Sequence, residues 1–61
     1  MLIKIRELTG FNIYVDSDDI LRIFENYEKE NNLKLNDKDK IDILKKIGFD
    51  DDEVAIILQY V

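Results

Sequence analysis

No cysteine and no histidine occurs anywhere in the chain. That absence constrains the fold more than any motif does. A chain of 61 residues is long enough for one small domain, and domains of that size are commonly stapled by disulfides or by a structural metal. Here no thiolate or imidazole is present, so neither a disulfide framework nor a zinc site of the usual ligand type can be built. Ser-His and Cys-His nucleophile pairs are excluded for the same reason. By general scaling, folding hides about 60% of the surface of so short a chain, and that gain roughly offsets the entropy lost on ordering it. The fold must therefore rest on local signals that agree with one another, or on a partner.

The local signals are plentiful. Ile3 and Ile5 alternate with Lys4 and Arg6, and Phe11, Ile13 and Val15 alternate with Asn12 and Tyr14. Two strands, 2–6 and 11–15, follow. A two-residue Thr9-Gly10 loop would set Arg6 opposite Ile13 and Lys4 opposite Val15, mixing charge into the apolar face. A three-residue Leu8-Thr9-Gly10 loop sets Ile5 opposite Ile13 and Ile3 opposite Val15, with Lys4 beside Tyr14 outside. The second register is expected because it separates the faces and gives Gly10 the left-handed position.

Asp16 is the expected N-cap of a helix reaching about Asn31, with Asp18 and Asp19 at the positive end of its dipole. Val15 and Ile20 form its hydrophobic staple, and Ile20, Ile23, Phe24 and Tyr27 its inward stripe. A second helix is expected over Asp37–Ile47, capped by Asn36, with Ile41, Leu44 and Ile47 inward. Gly48 ends it in a left-handed conformation, letting Phe49 reach Leu44, and Lys45 and Lys46 suit the last turn. A third helix begins immediately, with Asp50 and Glu53 as a capping box and Phe49 and Val54 as a staple, and runs to the C-terminus. The fold class is α+β: an N-terminal β-hairpin and three short α-helices in the order ββααα, one domain over residues 1–61. The expected core is Ile3, Ile5, Phe11, Ile13, Val15, Ile20, Ile23, Phe24, Tyr27, Ile41, Leu44, Ile47, Phe49, Val54, Ile57 and Leu58.

Acidic residues gather at Asp16-Ser17-Asp18-Asp19 and Asp50-Asp51-Asp52-Glu53. An EF-hand loop needs alternating oxygen ligands, a glycine and a distal glutamate, and neither cluster has them. Asn36-Asp37-Lys38-Asp39 fails as well, with Ile41 at the third ligand position. Helix capping accounts for the acids, and no metal or cofactor is expected. Paired carboxylates do acid–base work only in a cleft that shifts their pKa, and so small a chain leaves little room for one. A non-enzyme is expected. No apolar run approaches a membrane span, and Lys4, Arg6 and Glu7 stand where a secretory leader would be apolar, so a cytoplasmic protein is expected.

A strand followed by two helices could serve as a ribbon-helix-helix DNA-binding regulator, with Asn12, Tyr14, Lys4 and Arg6 as outward readers. A net charge of −5 opposes it, because phosphate contacts supply most of such affinity. The acids could instead mimic nucleic acid, although a modest negative charge mostly serves solubility. The lysines between Lys34 and Lys46 are interleaved with Asp37, Asp39 and Asp42, as on a solvated helix face.

Ile41-Asp42-Ile43-Leu44-Lys45-Lys46-Ile47-Gly48-Phe49, with Val54 and Leu58 beyond, locally resembles the first two helices and Gly-Phe loop of ubiquitin-associated domains. In that family the loop helps form a hydrophobic patch for ubiquitin. The likeness covers about residues 41–58, lacks the family's third helix, and is accounted for by the generality of glycine C-caps.

Val54 to Val61 contains a single polar side chain, Gln59. At 100° per residue, Val54, Ile57, Leu58 and Val61 share one face, while Ile56 and Tyr60 fall on a flank. Either the Ile43 side of the second helix wraps that flank, or Ile56 and Tyr60 face a partner. The hairpin's open edges could also add a strand to another chain. The expected contact residues are Ile56, Tyr60, Gln59, Tyr14 and Lys4. The expected function is a small acidic non-catalytic protein-binding regulator that forms homodimers. Low alanine and abundant Ile, Lys, Asn and Asp suit an AT-rich genome, and with it a phage or mobile-element inhibitor of a larger host protein such as a defence nuclease. A small structural or chaperone-like subunit is a third reading.

Overall fold

The computed structural model describes residues 1–61. Strand β1 covers Leu2–Leu8 and β2 covers Phe11–Asp16; the helices are α1 Ser17–Asn31, α2 Asp37–Ile47 and α3 Asp51–Leu58. The ββααα order is as expected.

The hairpin uses both registers weighed above, one at each end. Near the base, Ile3 lies opposite Val15 and Lys4 opposite Tyr14. Near the tip, Arg6 lies opposite Ile13 and Leu8 opposite Phe11, so the loop is the two residues Thr9-Gly10. The expected Ile5–Ile13 pairing and three-residue loop do not form. Ile5 is instead the extra residue of a bulge between Lys4 and Arg6. A bulge turns two successive side chains toward the same face of the sheet. Ile5 is buried there, and the Arg6 guanidinium donates to Asp50 Oδ2 and, at 3.2 Å, to Glu53 Oε2. Arg6 therefore faces α3 rather than pointing outward as a reader. The Glu53 carboxylate, then Asp50, raises its pKa above the ordinary value.

Each helix begins on its own cap. Asp16 Oδ1 accepts from Asp18 N–H at 3.0 Å; that bond, and then the amino group of Met1 at 3.3 Å, lowers the Asp16 pKa below its usual range. Asn36 and Asp39 form a reciprocal capping box at 2.8 and 3.3 Å, and Asp50 and Glu53 form another at 2.8 and 2.9 Å. Asp16, Asn36 and Asp50 thus hold orphan helix N–H groups. Helix α2 ends as expected: Gly48 has φ 127°, Gly48 N–H donates to Lys45 C=O, and Phe49 N–H donates to Leu44 C=O, both at 3.1 Å. Lys45 Nζ reaches Asp51 Oδ1 at 2.7 Å across this turn, which raises the lysine's pKa. A Cβ at position 48 would meet no neighbouring atom, so a substitution there reports backbone strain alone. Gly48→Ala is expected to cost about 1 kcal/mol, measured by urea denaturation. Helix α3 stops at Leu58, short of the C-terminus, and Gln59 and Tyr60 close it with turn bonds.

The core consists of Ile3, Ile5, Ile20, Phe24, Leu35, Leu44, Val54 and Ile57, and Leu44 and Ile57 are fully enclosed. Helix α3 packs on β1 and against α2. Lys40 Nζ sits 5.7 Å from the centroid of Phe24, covering the ring. The longest dimension is 43 Å, about that of β2 and α1 laid end to end. Elongation leaves part of the expected core uncovered. Phe11 projects with the hairpin tip, and Ile23, Tyr27 and Ile47 are open to solvent. Leu35, absent from the expected core, is buried.

Candidate protein-binding surface

Ile23, Tyr27 and Ile47 gather in one place, whereas Phe11 lies apart at the hairpin tip. Ile23 and Tyr27 of α1, Ile43 and Ile47 of α2, and Leu33 and Leu35 of the connection line a groove of about 430 Å³. Its origin lies in helical spacing. In α1, Ile20 and Phe24 are one turn apart and buried, while Ile23 and Tyr27, also one turn apart, fall to one side of them. In α2, Leu44 and Ile41 pack toward the core, and Ile43 and Ile47 form a second ridge beside them. Each helix thus carries an apolar face wider than this small interior can cover. Tyr27 remains 40% exposed and Ile47 49%.

Glu28 shapes the floor. Its Oε2 accepts from Leu35 N–H at 2.8 Å, and its carbonyl accepts from Asn32 and Leu33 N–H. Asn32 turns the chain with φ 50°, a conformation asparagine tolerates. One residue therefore holds both ends of the turn that brings Leu33 and Leu35 beneath the two helices. The polar lining is Asp39, Asp42 and Lys46, all from α2. Farther out on α1, Asp19 and Glu30 continue the stripe of Ile23 at i−4 and i+7.

The five residues expected from sequence do not form one surface. Lys4 and Tyr14 lie opposite each other on the outer face of the hairpin, both exposed, whereas α3 packs on β1 from the other face. Ile56 is half-buried and packs against the core. Gln59 and Tyr60 are exposed just past the end of α3, Tyr60 by 53%. Phe49 of the Gly-Phe turn is half-buried against the core. On the hairpin, Lys4 Nζ lies 3.4 Å from Glu7 and Arg6 is engaged by α3, so both cations are already paired with acids. No three acidic side chains converge as a metal site would require, and no helix is long and apolar enough to cross a membrane.

The groove was legible only in outline. Its ridges were visible as apolar residues, but periodicity assigned Ile23, Tyr27 and Ile47 to the interior. The alternation Leu33-Lys34-Leu35 was the one local sign that the connection contributes side chains to packing. No known family model, curated protein or solved structure matches this chain.

Proposed function

We propose that this protein is a non-catalytic protein-binding regulator whose contact surface is the groove between α1 and α2. The open apolar groove is the observation that carries this reading. Scaling predicts about 4,200 Å² of accessible surface for a 7.3 kDa chain; the molecule exposes 4595 Å². The greater surface goes with an elongated shape of 43 × 20 × 17 Å, which leaves the apolar groove open. Clustered apolar side chains with a charged rim are the usual anatomy of an interface. The setting that composition suggests, an inhibitor from a phage or mobile element acting on a larger host protein, belongs to the same proposal and rests on composition alone.

Ile47→Lys tests it. The new cation suits the last turn of α2, and the side chain is half exposed, so stability is expected to change by no more than about 0.5 kcal/mol. Wild type, Ile47→Lys and Tyr60→Asp are used as parallel baits. Proteins held by wild type and by Tyr60→Asp, and lost with Ile47→Lys, support the groove. Loss with Tyr60→Asp alone moves the surface to the end of α3 and overturns the assignment.

A further inference from the structure

We propose that the occupant of the groove is an amphipathic α-helix of a partner protein, with basic residues flanking its apolar stripe. This rests on the groove being a protein-binding surface, and adds the class of partner.

The walls suggest a helix. Ile23 with Tyr27, and Ile43 with Ile47, are both i, i+4 pairs, so each wall is a ridge about one turn long with Leu35 between them. A helix projecting residues at i and i+3 or i+4 seats one turn of its apolar stripe in such a trough by ordinary ridge-into-groove packing. A strand fits poorly. Its backbone needs partners, and the groove is walled by helices whose own N–H and C=O groups are already used. A helix brings its hydrogen bonds with it. A small polar ligand is disfavoured too, because such sites present several convergent polar groups, whereas here the three polar lining residues all come from α2.

The rim sets the charge. Asp39, which also accepts from Asn36 N–H, and Asp42 border the groove on α2 beside Lys46, two acids to one cation; outside the lining, along the Ile23 stripe of α1, lie Asp19, 3.9 Å from Arg22, and Glu30. Lys46 is the sole cation among the groove-lining residues, and the whole chain carries −5. Basic residues beside the apolar stripe would be steered to this rim and held in register by it. A second copy would present the same two acids and one lysine, a weaker charge match than a basic partner helix.

Three synthetic helical peptides decide the matter: a Leu/Lys amphipath, a Leu/Glu amphipath of the same apolar pattern, and a Lys peptide with its leucines scrambled. Binding to the full chain is followed by isoleucine-methyl NMR at low salt. The Leu/Lys peptide is expected to shift Ile23, Ile43 and Ile47 while leaving Ile3 and Ile5 in place, and to bind at least about tenfold more tightly than the other two. Asp42→Lys is expected to weaken the Leu/Lys peptide and strengthen the Leu/Glu one. Equal binding of the two amphipaths in the groove overturns the basic partner while leaving a protein-binding groove. Equal binding of the scrambled peptide, or shifts with no peptide, overturns the inference. Concentration-dependent shifts of Ile23 and Ile47 in the protein alone overturn it in favour of a second copy. If, in addition, Ile47→Lys leaves partner capture intact, the function proposed above fails with it.

Discussion

Leu44→Ala is expected to lower stability by about 2–5 kcal/mol, the range for emptying a buried leucine site. Leu44 is fully enclosed in the core, so truncation removes its transfer free energy and leaves a cavity. At typical values per residue, a domain this short has only a few kcal/mol of total stability. Its melting temperature is thus expected to drop by more than about 10 °C. Circular dichroism with urea and heat measures both quantities. Ile47→Ala, three residues along the same helix and half exposed, is the control and should cost under about 1 kcal/mol. If the two variants are equally stable, Leu44 is not enclosed and the packing of α2 described here is wrong.

Removing Glu28 is the second large effect, and it acts through a hydrogen bond rather than a cavity. The Leu35 N–H donates to Glu28 Oε2 at 2.8 Å in a partly buried setting. Glu28→Ala deprives that amide of its partner, and a buried unpaired amide costs about 1–3 kcal/mol. Glu28→Gln keeps a side-chain carbonyl of nearly the same reach and should recover most of the loss. The bond also places Leu35 in the groove floor, so amide exchange at Leu33 and Leu35 should rise in Glu28→Ala and not in Glu28→Gln. Equal exchange in all three proteins would mean that the turn is held by backbone bonds alone.

Element order, helix caps and the Gly48-Phe49 helix ending were legible because they depend on neighbours in sequence. Asp16, Asn36 and Asp50 bind amides two or three residues away, and the Gly48-Phe49 ending closes on Leu44 and Lys45. These contacts are local, so residue identity and spacing suffice to anticipate them. The bulge at Ile5 was harder to foresee. It lets the base keep Ile3 opposite Val15 while the tip shifts by one residue to set Arg6 opposite Ile13. With the bulge in place Ile5 is buried in the core and the Arg6 guanidinium reaches Asp50 and Glu53, contacts more than 40 residues apart in sequence that local pattern does not reveal.

Residue order alone dictates that this chain makes a hairpin and three capped helices with apolar faces, since those choices follow from steric preference, dipole and spacing. Which of those faces end up covered is a global matter. Only the packed arrangement shows Leu35 inside, Ile23, Tyr27 and Ile47 outside, and Arg6 turned toward α3. The reason is geometric: a long, narrow molecule encloses little volume, so apolar stripes of equal quality compete for it, and the outcome depends on how α1, α2 and α3 cross rather than on any one stripe.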